Sequence, residues 1–162
     1  MKRLEKEEKE KIDLVTSKKL EDRIEAAKQG FGLDKLVNDL DPDVRMFVAD
    51  QGYGLDKLIN DEDQFVLQAV AHQGYGLDKL INHEWEDIRI EVARQGFGLE
   101  KLINDKDELV REAVAEQGYG LDKLANDKVR EVRMAAYEKI SKLGFNSVEE
   151  WAKANLDKCA LK

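Results

Sequence analysis

The side chains best suited to metal or nucleophilic chemistry in this chain are two histidines, His72 and His83, and one cysteine, Cys159. The histidines fall in successive segments of similar sequence and so could meet in space. A metal site takes three or four ligands of defined type, and no further histidine or cysteine is at hand to complete one. A lone cysteine excludes a disulfide within the chain and fits a reducing compartment. Acidic turns such as Asp61-Glu62-Asp63 invite a calcium reading. They lack the glycine and closing glutamate of an EF-hand loop, and capping of the helix that follows accounts for them. The Gly52-x-Gly54 pattern is not a phosphate loop, because no strand precedes it and it recurs five times. No Ser/His/Asp, Cys/His or isolated carboxylate pair stands outside the recurring frame. The chain therefore reads as non-catalytic, without metal or cofactor.

Two further rows owe their chemistry to repetition. Arg45, Arg89, Arg111 and Arg133 occupy one recurring position, where Leu67 interrupts them. Such a row could grip phosphates, but the interruption suits a structural ladder better, each Arg pairing with a turn aspartate. Recurring Gln and Asn residues could be ligand amides. They are expected instead to stack in hydrogen bonds that satisfy turn backbone groups.

The elements that must position these rows come from an internal repeat. Gln-Gly-aromatic-Gly-Leu recurs at Gln29, Gln51, Gln73, Gln95 and Gln117, a period of 22 residues. With each Gln as position 1, the copies run 29–50, 51–72, 73–94, 95–116 and 117–138. Residues 1–28 are a charged N-terminal segment and a degenerate capping copy, in which Leu14, Arg23 and Ala27 align with Leu36, Arg45 and Ala49. Residues 139–162 fall outside the period. Gln, Gly, Gly, Leu, Lys, Leu and Asn at positions 1, 2, 4, 5, 7, 8 and 10 never change. The Arg row is position 17, and its expected partners are the Asp at position 11 or 13.

Each copy reads as two short helices. Asp41 before Pro42, the only proline, marks a helix start. The second helix thus spans positions 14–22, and Asp63 and Asp107 repeat the cap. Trp85 and Val129 stand at the cap position in the other copies. There the cap is expected upstream, at Asn82 or His83 and at Asn126 or Asp127. Gly at position 2 should end each second helix with positive φ. Gly at position 4 should cap a first helix of about two turns, α or 3₁₀. Positions 16, 19 and 20 share one face at 100° per residue, and Leu at positions 5 and 8 supplies the matching face. Helices this short persist only when stacked on neighbours. The fold class is therefore all-α, a right-handed solenoid of five two-helix repeats with helical caps. Residues 139–162 form the C-terminal cap: Gly144 stops the last helix, and Ser147 opens an amphipathic one bearing Val148, Trp151, Ala152, Leu156 and Cys159. Met1 to Lys11 read as a frayed helix or a disordered stretch.

The run Leu58-Ile-Asn-Asp-Glu-Asp through Val66 to Val70-Ala71, with Val44-Arg45, Val110-Arg111 and Val132-Arg133, resembles the leucine-rich repeat variant family. More distantly it is similar to HEAT repeats. The resemblance covers residues 29–138 and implies the right-handed superhelix. The period is a little shorter than that family's usual unit, and Gln-Gly-aromatic-Gly replaces its Asn- and Pro-containing turn. Some members carry a cysteine cluster for an iron–sulfur centre; here only Cys159 exists, so none carries over. The family names no single function.

Function should then lie in residues that break the pattern. Positions 15, 18 and 22 form a stripe opposite the Val pair, where polar residues are the default. Met46, Phe65, Ile90 and Leu109 stand there instead, mixed with His72, Asp87 and Glu112, and Trp85 adds a large apolar group nearby. These eight residues are the candidate partner-binding site, expected to form an exposed row crossing the first four repeats. The net charge of −8 argues against direct nucleic-acid binding. Each of the first four repeats is net acidic, which favours a basic or amphipathic protein or peptide. The alternative is an acidic inhibitor, or nucleic-acid mimic, that blocks a basic nucleic-acid-binding protein. No run approaches the ~20 apolar residues of a membrane span, and the N-terminus lacks the apolar core of a secretory leader. The expected location is cytoplasmic, and small-molecule binding is not expected.

Overall fold

In the computed structural model, residues 2–159 are described, and the side chains of 9–155. Among them are thirteen helices and no strands. The chain divides into two compact units, Met1–Leu77 and Asp78–Lys162. The first holds α1 (Lys2–Val15), α2 (Leu20–Lys28), α3 (Leu33–Leu36), α4 (Pro42–Asp50), α5 (Leu55–Leu58) and α6 (Gln64–His72); α7 (Leu77–Leu80) begins at its end. The second holds α8 (Glu86–Arg94), α9 (Leu99–Leu102), α10 (Glu108–Gln117), α11 (Leu121–Leu124), α12 (Arg130–Lys142) and α13 (Val148–Cys159). Within each unit every longer helix packs on the next longer one and on the short helix between them: α2 on α4 and α4 on α6, then α8 on α10 and α10 on α12. This order of contacts is consistent with a helical repeat.

The boundaries follow from the local sequence. Asp41 accepts the amide of Asp43, and Asp63 and Asp107 each accept two first-turn amides. The aspartate carboxylate thereby satisfies donors the helix cannot. At the other end of α4, Gly52 donates to Ala49 O at 2.8 Å and Tyr53 to Val48 O at 3.3 Å, a Schellman closure. That closure needs a left-handed residue, and all five position-2 glycines have φ between 71° and 82°. Position-4 glycines are also left-handed. There a Cβ would also collide with the side chain at position 9 of the preceding copy: Val15, Val37, Ile59, Ile81 or Ile103. The short helices are single α turns with 3₁₀ edges. Leu58 and Ile59 close i−4 bonds, while Lys57, Asn60 and Asp61 close i−3 bonds.

Two expectations about caps are corrected. In α8 and α12 the helix still begins at position 14, with Trp85 and Val129 as N-caps that contribute no side-chain bond. His83 Nδ1 and Asp127 Oδ1 do accept an amide, but it is that of Trp85 and of Val129. The same position-11 bond is made to Asp41, Asp63 and Asp107 elsewhere. It shapes the turn, not the first helical amides.

The core is formed by the Val or Ile at position 16, Val or Ala at 20, and Leu at 8, all nearly or fully buried. Leu at position 5 is only half-buried, except Leu121, while position 9 is buried throughout. Position 19 is mixed: Ala69 and Ala113 are buried, and Phe47 is half-buried beneath the Lys28 ammonium, 4.4 Å from its ring centre. Glu91 is buried there, accepting from Gln95 at 3.2 Å.

At the ends, α1 is helical from Lys2. Gly144 closes α12 with φ 88°, and Ser147 Oγ accepts the amide of Glu150 at 3.1 Å. Trp151 and Ala152 are half-buried in α13, which packs on α11 and α12. Leu156 and Cys159 fall outside the described side chains.

Candidate functional site

The Arg row is a ladder with one fixed geometry. Arg89 Nε donates to Asp105 Oδ2 at 2.8 Å and its Nη2 to Asp105 Oδ1 at 2.9 Å. Its Nη1 donates to the carbonyls of His83 and Glu84 at 2.7 and 3.0 Å. Arg111 grips Asp127 in the same way, and in the first unit Arg23 grips Asp39 and Arg45 grips Asp61. Each of these four arginines at position 17 thus reaches the position-11 Asp of the following copy, sixteen residues on. Position 13 is the cap and takes no part. Burial pushes the Asp105 carboxyl up, but the Arg89 fork and the Asp107 amide outweigh it and hold it below its ordinary 3.8. All the ladder forks that find a carboxylate are accounted for by packing between copies, so these arginines are not a phosphate-binding row.

A second ladder uses the invariant Lys and Asn. Lys57 Nζ donates to Asn38 Oδ1, Lys101 to Asn82 and Lys123 to Asn104. Of the recurring Gln residues, Gln73 Nε2 donates to the Asp50 carbonyl at the end of α4, 3.1 Å away, whereas Gln29 and Gln95 donate to the carboxylates of Glu25 and Glu91.

Of the candidate binding residues, Met46, Phe65 and His72 lie in the first unit. Phe65 is 58 % exposed, His72 is exposed, and Met46 is half-buried. The His72 charge draws the Asp50 carboxyl down, but burial is the larger effect and leaves it above its ordinary value. In the second unit Leu109 is 51 % exposed, while Asp87 and Glu112 are half-buried. Ile90 is a correction: it is only 7 % exposed and belongs to the core. Trp85 is half-buried too, its ring 4.9 Å from that of His83. The expected continuous exposed row is therefore interrupted. A two-faced wheel misled the assignment. A helix that packs on a neighbouring long helix and on a short-helix layer, as α8 does on α10 and α9, has more than one contact direction. Position 22 is exposed in every copy, positions 14 and 15 are exposed or half-buried, and position 18 ranges from buried Ile90 to exposed Met134.

The structure adds what the pattern did not single out. Between α10 and α12 lies an open groove of about 490 Å³, its lining made of the carboxylates Glu112, Glu116, Glu131 and Glu138, the cations Arg130, Lys139 and Lys142, and Met134 and Ala135. Glu138 is neutralised by Lys142 at 2.8 Å. Glu112 is not neutralised: burial raises its carboxyl above the ordinary 4.5, and the charges of Glu116 and Glu131 raise it further. Met134 is 55 % exposed at this groove, and Leu109 stands on α10 one turn before Glu112. Among the described residues no three His, Cys, Asp or Glu side chains converge as metal ligands. Among the described residues, too, no helix is long and apolar enough to cross a membrane. No family model matches the chain, and no curated protein matches it.

Proposed function

We propose that this protein is a non-catalytic binding scaffold, a right-handed solenoid of five repeats like those of the leucine-rich repeat variant family. On this reading it works in the cytoplasm and takes a basic amphipathic segment of a protein partner on its second helices. The observation that carries the reading is the convergence of Glu112, Glu116 and Glu131 on the α10–α12 groove, where burial and the two neighbouring carboxylates raise the Glu112 carboxyl although Arg130, Lys139 and Lys142 also line the groove. Carboxylates held together at a cost to their own ionisation gain from a partner's Lys or Arg. Leu109 and Met134 supply apolar contact beside them, an anchor-and-rim arrangement. Phe65 and Met46 offer the first unit's own apolar contact, with Asp43 and Asp50 exposed nearby.

The test is titration of the full chain with a labelled amphipathic helical peptide of Leu and Lys, followed by fluorescence anisotropy. The triple variant Glu112→Gln, Glu116→Gln, Glu131→Gln should melt no lower than wild type and bind about tenfold more weakly. Equal binding by the variant would overturn the assignment. Salt separates this reading from the acidic inhibitor. Apolar anchors leave residual binding at high salt, whereas a nucleic-acid mimic acting through charge alone loses it.

A further inference from the structure

The Arg ladder ends on an open rung. Arg133 Nη1 donates to the carbonyls of Asp127 and Lys128 at 2.7 and 3.1 Å. Arg111 is oriented by its own two carbonyls in the same way, at 2.8 and 3.3 Å, and Arg45 at 2.8 and 3.1 Å. In those residues Nε and Nη2 then hold an aspartate. In Arg133 they hold nothing among the described residues, and no buried polar side-chain atom lacks a partner, so both reach solvent. The fork is pre-set for a carboxylate that none of the described residues provides.

The flank beside it is open as well. Position 21 is an alanine sealed from solvent in α4, α8 and α10 (Ala49, Ala93 and Ala115). In α12 it is Tyr137, one turn beyond Arg133 and 48 % exposed. An aromatic side chain with a polar tip beside an oriented guanidinium is the composition of a binding hot spot. This flank is distinct from the acidic groove, whose lining includes neither residue.

We propose that Arg133 and Tyr137 form a docking site for the start of a helix in another protein, one led by an aspartate two residues ahead of its N-cap. Every filled rung specifies that occupant. Asp61, Asp105 and Asp127 each take the Arg fork while accepting the amide two residues on. A second copy of the chain cannot supply it. Asp39, Asp61, Asp105 and Asp127 are already gripped, and the N-terminal copy presents Ser17 at the equivalent position, bonded to Asp22. The partner therefore brings its own Asp-led helix, as a further helical repeat would.

The probe is an acetylated peptide copying residues 103–117, in which Asp105 leads the helix, titrated into the full isotope-labelled chain by NMR. The Arg133 Nε–H resonance and the Tyr137 ring should shift together. A peptide with Asp105→Asn should bind about tenfold more weakly, the loss expected of one charge-assisted bidentate contact. Arg133→Lys, which keeps the charge and loses the fork, should melt like wild type and bind as weakly as that control. Binding by Arg133→Lys equal to wild type would overturn the proposal. So would an unmoved Nε–H resonance, or the same shift with acetate alone at matched concentration.

Discussion

The ladder and the outer stripe sit on the same helices and obey opposite rules. Position 17 points between copies, and its Arg is tied to two carbonyls and one carboxylate. Position 15, two residues earlier, points outward and holds Asp43, Phe65, Asp87, Leu109 or Glu131. Sameness among copies thus tracks contact between copies, and variation tracks its absence. The one interruption of the ladder obeys the rule. Leu67 replaces the Arg, and His83, sixteen residues on, replaces the Asp. Losing both charges together leaves neither one stranded.

The comparison breaks most visibly at the ladder. Arg89→Leu strands a buried Asp105 carboxylate and should cost about 3 kcal/mol in a denaturant melt. Leu109→Ser on the stripe should cost within about 0.5 kcal/mol. Adding Asp105→His to Arg89→Leu copies the residue types that the sequence has at 67 and 83 and should recover most of the loss. If the double variant is no better than the single one, the reading of the interruption as compensation fails.

Two glycines sharpen it at the next scale. Gly98→Ala meets both a left-handed backbone and the Ile81 side chain, and should lower stability by about 2 kcal/mol. Gly96→Ala has the same backbone demand but open space at its Cβ, and should lose only about 1 kcal/mol. Equal losses would mean that backbone conformation alone, and not packing between copies, requires the glycine.

The smallest effects are in titration, where the two regions differ in sign. Folding holds Asp39, Asp61, Asp105 and Asp127 below their ordinary 3.8. Their stabilisation is complete above that value and is lost as pH falls through the lower folded values. Folding raises Glu112 instead, so its ionised form opposes the fold above its ordinary 4.5. Thermal melts across this range should show the main acid loss below 3.8. Glu112→Gln should gain a few tenths of a kcal/mol at neutral pH, after solvent screening, and nothing in acid. A loss on Glu112→Gln at neutral pH would show that the carboxylate has a stabilising partner.

What the sequence made legible was whatever repetition enforces. The period, the second helices from position 14 and the left-handed glycines rest on local chemistry repeated five times, and the Asp41, Asp63 and Asp107 caps on chemistry repeated three times. The Arg–Asp pairing was legible in kind, but its choice of position 11 over 13 depends on which neighbour the side chain reaches. Ile90 was misplaced because burial depends on tertiary packing, which one helical wheel does not contain. The uncapped starts of α8 and α12 show tertiary packing overriding a local signal at Trp85 and Val129. The acidic groove needed α10 and α12 side by side, since Glu112 and Glu131 lie nineteen residues apart.

The ladder spacings also bear on how the chain reaches its fold. Each Arg–Asp rung closes a loop of sixteen residues, and each Lys–Asn bond one of nineteen. Loops this short cost little entropy to close, and every copy brings its own pair. Within each unit, ordering one copy presents the fork or carboxylate that the next copy needs. Structure is therefore expected to spread from any starting copy to its neighbours, like a zipper with several places to begin. Contacts this local place the chain among fast folders.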